Sequence, residues 1–156
     1  MALPQDCIQA LGDELFAALR SRKVIEPLTN REAGITIDDA YNISLRFLER
    51  RKAEGEKIVG KKIGVTSKPV QDMLGVHQPD FGFLTNVMEV ADGASVSIAG
   101  SGMIQPRAEG EIAFVLKKDL RGPGVTEEQV LDATDFVAPC FEIVDSRIRD
   151  WKIKIQ

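Results

Sequence analysis

Two carboxylates separated by a single small residue stand at the head of an apolar run in Gln105-Pro106-Arg107-Ala108-Glu109-Gly110-Glu111-Ile112-Ala113-Phe114-Val115-Leu116. On a strand, residues two apart point to the same face with Cα atoms roughly 6.5 Å apart, so Glu109 and Glu111 could reach one cation. With nothing positive between them they would repel. Glu142 is a third candidate. It interrupts the apolar run Pro139-Cys140-Phe141-Glu142-Ile143-Val144 and is expected to be largely buried, where a carboxylate needs a partner. Three carboxylates without a neighbouring His or Cys pair describe an all-oxygen site suited to Mg2+ or Mn2+, with positions left for water and substrate. The alternative is that Glu109 and Glu111 line a solvated strand face while Glu142 pairs with a core Arg or Lys. The residues alone leave both readings open.

A second group lies in Gly60-Lys61-Lys62-Ile63-Gly64-Val65-Thr66-Ser67. Alternation along a strand sends Lys61 and Lys62 to opposite faces, so one of them points inward. A lysine held among apolar neighbours can serve as a general acid or base, whereas most lysines in such runs extend to solvent. The spacing of Gly55, Gly60 and Lys61 imitates a phosphate-binding loop. However, Lys62 stands where Ser or Thr is required, and the loop body Lys57-Ile58-Val59 is strand-like, which excludes nucleotide binding here. His77, the only histidine, is read as an exposed turn residue. Asp80 precedes the aromatic-glycine segment Phe81-Gly82-Phe83-Leu84, which would anchor it at the rim of a site.

These residues must be positioned by a scaffold, and the hydrophobic pattern outlines one. Ile8, Leu11, Leu15, Ala18 and Leu19 recur at helical spacing ahead of Pro27. A second helix is predicted from a cap near residues 36–38, burying Ala40, Tyr41, Ser44, Leu45 and Leu48 and ending at Gly55, with Arg46, Glu49, Arg50 and Lys52 exposed. After Gly55 the chain becomes branched and glycine-punctuated. A strand is expected over 57–65, a short helix over 69–74, a loop over 77–82, and a strand pair over 87–98 turned at Asp92-Gly93. Strands over 109–116 and 139–144 flank a loop at Gly122-Pro123-Gly124 and a helix opened by Thr126 in a capping box with Gln129. Helices followed by sheet give an α+β class. The expectation is one domain over 1–156, with a helical layer over 1–55 and a mixed β-sheet roll beginning at 56.

Composition narrows the partners. A net charge of −4 over 156 residues, with Lys and Arg scattered among acids, gives no surface for nucleic acid. No apolar run approaches the roughly 20 residues that span a bilayer. The chain opens without the basic and apolar regions of a signal peptide, and Cys7 and Cys140 match no ligand spacing, so a cytoplasmic protein with reduced thiols is expected.

Taken in order, Gly60–Ser67, the Gln78-Pro79-Asp80-Phe81-Gly82 loop, Gln105–Ala113, and Phe141-Glu142-Ile143-Val144-Asp145-Ser146-Arg147-Ile148-Arg149-Asp150-Trp151 resemble the hydratase and decarboxylase family of catechol meta-cleavage pathways, within the fumarylacetoacetate hydrolase superfamily. The resemblance implies that Glu109, Glu111 and Glu142 are metal ligands, that Lys62 is the inward lysine and a catalytic acid or base, and that Asp80 is an active-site carboxylate. It further implies a helical layer followed by a β roll of fumarylacetoacetase C-terminal-domain type, assembled as homo-oligomers, with a complex with the related decarboxylase as a further partner. The implied activity is metal-dependent hydration of 2-hydroxypenta-2,4-dienoate, a small 2-oxo acid in its keto form, to 4-hydroxy-2-oxopentanoate. The alternatives are decarboxylation of 4-oxalocrotonate (2-oxo-3-hexenedioate) and a noncatalytic truncated subunit. Family members run well past the length of this chain, which is expected to correspond to their N-terminal portion.

Overall fold

The computed structural model describes residues 2–154, the side chain of Leu74 excepted. They form an α+β structure with two compact units, one built from the chain up to Gln105 together with the segment from Ser146 onward, the other from Pro106–Asp145.

In the first unit, α1 (Gln5–Ser21) packs on α2 (Ile37–Ala53). Ile8, Leu11, Ile35 and Ile43 form the buried core, lined by Leu3, Cys7, Leu15, Leu28 and Ala40. The helices approach closely because residue 12 is glycine: a Cβ there would stand 2.6 Å from the Cβ of Arg46. Thr36 caps α2 as the sequence suggests. Its hydroxyl accepts from Asp39 N at 3.1 Å, while Asp39 Oδ2 accepts from Thr36 N at 3.0 Å, and Asp38 and Asp39 at the start with Arg50, Arg51 and Lys52 at the end complement the helix dipole.

The buried stripe of α2 differs from the expected one. Asp39, Ile43, Leu48 and Arg51 are buried, whereas Ser44 and Leu45 are exposed. Two polar residues turn inward because each finds partners there. Asp39 Oδ1 accepts from Leu3 N at 3.0 Å, and Arg51 meets the buried Glu56 and Thr85. Apolar periodicity alone does not register such pairs.

Strand β1 (Ile58–Gly64) pairs antiparallel with β2 (Asp80–Thr85), and α3 (Lys68–Leu74) lies in the connection. This corrects the expected loop over 77–82 and strand pair over 87–98. The Asp92-Gly93 turn forms, with Gly93 at φ 73° and Ala94 N donating to Ala91 O at 3.1 Å. No strands flank it, and the chain passes instead through a 3-10 turn (Asn86–Met88) and α4 (Ile98–Ser101). Phe81 wins its strand position through packing, stacking on Tyr41 of α2 at 4.7 Å and meeting Phe83 edge-on.

The second unit is a ribbon of β3 (Arg107–Leu116) and β4 (Thr134–Val144), joined through α5 (Glu127–Ala133). Both strands exceed their expected lengths. Thr126 caps α5 with Gln129 as read from the sequence. Where the chain leaves and rejoins the first unit, Gln105 Nε2 donates to the carbonyls of Ser146 (3.0 Å) and Ile148 (2.9 Å), and Trp151 Nε1 donates to Gln105 O at 3.1 Å.

Candidate functional site

The antiparallel register of the ribbon places Glu109 directly opposite Glu142 and Glu111 opposite Cys140. Period-two alternation puts Glu111 on the face of Glu109, so three carboxylates share one face of two strands. Each offers an oxygen within 4.8 Å of the others'. Oxygens so grouped could hold one divalent cation, and three anions held this close favour a cation among them. Glu142 is half-buried rather than largely buried, and Glu109 and Glu111 are exposed. An acid in an apolar run is thus not shut away here, because the ribbon leaves both of its faces open to solvent at many positions.

Arg107 shares this face one register step beyond Glu109, and Cys140 lies on it opposite Glu111. Neither was singled out from sequence. The same two-residue period that linked Glu109 to Glu111 would have added Arg107, whereas Cys140 needed the pairing of the two strands.

The other candidates lie in the first unit, on the β1–β2 ribbon. Lys62 is the inward lysine and is half-buried; Lys61 is exposed on the opposite face, its Nζ 5.7 Å from the centre of the Phe83 ring. Lys62 pairs in register with Gly82, and Asp80 with Gly64. The Asp80 carboxylate and the Lys62 ammonium therefore occupy diagonal positions on one face. Asp80 Oδ1 is closed from solvent and accepts no hydrogen bond among the described residues. A buried acceptor without a donor has a desolvation cost that a bound water or ligand would relieve. His77 is exposed in a bend, as expected.

A buried polar latch fixes the open end of this ribbon. Arg51 Nε donates to Glu56 Oε2 at 2.7 Å, Thr85 Oγ1 donates to the same oxygen at 2.6 Å, and Arg20 Nη2 donates to Oε1 at 2.9 Å. Burial alone would push the Glu56 carboxyl up, but these three donors outweigh it and hold it below the usual carboxylate range. The latch ties α1 and α2 to the ends of β1 and β2, on which Lys62 and Asp80 sit.

Over 149 residues the chain is 67% identical to a 2-hydroxyhexa-2,4-dienoate hydratase of Comamonas testosteroni, covering 96% of this chain and 56% of that protein. It is 64% identical over 149 residues to a 2-hydroxypent-2,4-dienoate hydratase of Pseudomonas putida, covering 96% of this chain and 67% of that relative. The chain belongs to the 2-hydroxypentadienoate hydratase family. No family model matches it. Among solved structures, this hydratase-family chain is similar to the 4-oxalocrotonate decarboxylase of Pseudomonas putida G7 complexed with magnesium and adipate, with a TM-score of 0.91 and 35% identity over 98% of this chain and 57% of that one. It thus spans between about half and two thirds of the relatives it matches.

Proposed function

We propose that this chain takes part in metal-dependent hydration of 2-hydroxypenta-2,4-dienoate to 4-hydroxy-2-oxopentanoate in the meta-cleavage degradation of aromatic compounds. The observation that carries this reading is the convergence of Glu109, Glu111 and Glu142 on one strand face, in a chain that is 67% and 64% identical to two hydratases. These three residues would hold a divalent cation, Mg2+ by the decarboxylase neighbour's example or Mn2+ by the hardness of the oxygen donors. Such a cation supplies Lewis-acid stabilisation of negative charge on the substrate's 2-oxygen.

The remaining chemistry is proton movement. Tautomerisation of the dienol takes the proton from the 2-hydroxyl and places one on C5. Addition of water then forms a C–O bond at C4 and places a proton on C3. We assign the delivery of a proton to carbon to the Lys62 ammonium, and the removal of a proton from the attacking water to the Asp80 carboxylate, whose unpartnered Oδ1 is an acceptor in waiting. Decarboxylation of 4-oxalocrotonate is the second reading, favoured by the similarity to the decarboxylase structure; a carboxylate such as Asp80 that can take a proton from water weighs toward hydration. We further infer a cytoplasmic homo-oligomer able to associate with the related decarboxylase. Both cysteines are free thiols, as a reducing compartment keeps them, and no helix among the described residues is long and apolar enough to cross a membrane.

The test is incubation of the chain with freshly generated 2-hydroxypenta-2,4-dienoate and Mg2+ or Mn2+, following loss of the dienol absorbance and identifying the product, beside Glu109→Ala and the oxalocrotonate-derived substrate. Metal-dependent 4-hydroxy-2-oxopentanoate, absent with Glu109→Ala, is the expected result. Release of carbon dioxide from the dicarboxylate alone would reassign the reaction, and no turnover of either substrate would remove the chain from the enzymes and favour the noncatalytic-subunit reading.

A further inference from the structure

Lys62, Asp80, Gly64 and Gly82 form a square on one face of the β1–β2 ribbon, with the two charged residues on one diagonal and the two glycines on the other. Glycine in a strand interior costs about 0.5–1 kcal/mol relative to alanine; Gly82 lies inside β2 and Gly64 ends β1, and no backbone requirement explains either. Neither Gly64 nor Gly82 has a positive φ, so an L-residue could adopt either conformation. What the glycines provide is space. A Cβ on Gly64 would stand 2.5 Å from Asp80 Oδ1 and 2.9 Å from Lys62 Nζ, and a Cβ on Gly82 would stand 3.3 Å from Lys62 Cγ and Cδ. The lysine stem therefore lies across Gly82, and its ammonium and the Asp80 carboxylate converge over Gly64.

We propose that Gly64 and Gly82 are positioning residues, whose missing side chains form the cradle that holds the Lys62 ammonium and the Asp80 carboxylate side by side, as two proton-transfer groups on one face. The functional half of this inference rests on the hydratase reading above. The geometric half does not.

The same strand supplies a matched control. Gly60 also lies in β1 on the same alternation, but a Cβ there meets nothing closer than Leu84 Cδ1 at 3.7 Å, an ordinary contact. Gly60→Ala and Gly64→Ala make the same chemical change in the same strand, and only the second intrudes on the pair. The groups that must yield to it are the ends of flexible side chains, so the fold survives. Melting temperature is expected to hold or rise in all three alanine variants.

Two readouts on the full chain decide the matter. In metal-dependent hydration, Gly64→Ala is expected to lower kcat by about 100-fold with KM nearly unchanged, the scale of an ångström's misplacement of a catalytic group. Gly82→Ala should fall between it and Gly60→Ala, which should match the parent chain. Independently of activity, labelling with an amine-reactive probe followed by mass spectrometry compares Lys62 with its exposed neighbour Lys61. Gly64→Ala is expected to raise the Lys62-to-Lys61 ratio and Gly60→Ala to leave it unchanged. An unchanged ratio in Gly64→Ala overturns the cradle. A raised ratio with undiminished kcat overturns the positioning role. If the parent chain turns over no dienoate, the hydratase reading fails while the ratio still decides whether the glycines hold the pair.

Discussion

At the scale of single residues, the metal reading turns on Glu142. It faces Glu109 across the ribbon and is the least exposed of the three carboxylates, so its removal should leave the other two as a weak, solvated pair. Glu142→Gln is expected to abolish Mg2+-dependent stabilisation, read as the shift of melting temperature on adding metal; a shift equal to that of the parent chain would remove Glu142 from the ligand set. A second prediction concerns Val65, which follows Gly64 with φ 55°. A β-branched residue in the left-handed region is strained by roughly 1–2 kcal/mol, and glycine is not. Val65→Gly should therefore stabilise the chain by about 0.5–1 kcal/mol after glycine's greater unfolded-state entropy is deducted, as denaturant unfolding would measure. The carboxylate triad was legible in sequence because two of its members share a strand and strand periodicity has one value. Gly64 and Gly82 were not legible, because their role depends on which residue of β2 lies opposite which residue of β1.

At the scale of elements, the ribbon bearing Lys62 and Asp80 depends on the Glu56 latch. Glu56→Gln would leave the Arg51 guanidinium buried against a neutral partner. Breaking such a pair costs on the order of 3 kcal/mol, or roughly 6–12 °C in melting temperature for a chain of this size. Substitution of the exposed Lys57, one residue on, should change neither stability nor melting. The latch also explains why sequence reading misplaced the second strand. Capped helices and the Thr126 box were readable because their signals span four residues, and the Asp92-Gly93 turn did form. A turn dipeptide does not create strands, however. β2 pairs across a connection containing α3, and it is held by stacking of Phe81 on Tyr41 and by a buried Thr85, contacts between segments far apart in sequence. The inward rotation of α2 has the same origin, since Arg51 and Asp39 are buried by partners outside their own helix.

At the scale of the whole molecule, depressed carboxyls tie stability to pH. Hydrogen bonds from Thr36 hold Asp39 low, Arg46 holds Asp13 low, and Thr85, Arg51 and Arg20 hold Glu56 low against its burial. A carboxyl whose folded value lies below its unfolded one, about 3.9–4.3, stabilises fully above the unfolded value and loses that contribution as pH falls through the folded one. Melting temperature should thus be flat between about pH 5 and 8 and decline through the acid range, less steeply in Glu56→Gln.

Metal binding adds a way to ask whether residues 1–156 fold as one domain, which we propose. The triad lies wholly within Pro106–Asp145, whereas α1 and α2 lie in the other unit. A ligand that binds only the folded state at 100 times its Kd adds about 2.7 kcal/mol, some 5–11 °C here. If the chain unfolds cooperatively, the helical circular-dichroism signal, dominated by α1 and α2, should melt later in Mg2+ by that full amount, in one transition that calorimetry sees at the same temperature. Should the helical signal melt at the same temperature with and without metal while calorimetry resolves a second, metal-dependent transition, the two units fold independently and the single-domain proposal fails. Glu142→Gln separates either outcome from nonspecific effects of the salt, because it alters a proposed ligand that lies in the ribbon.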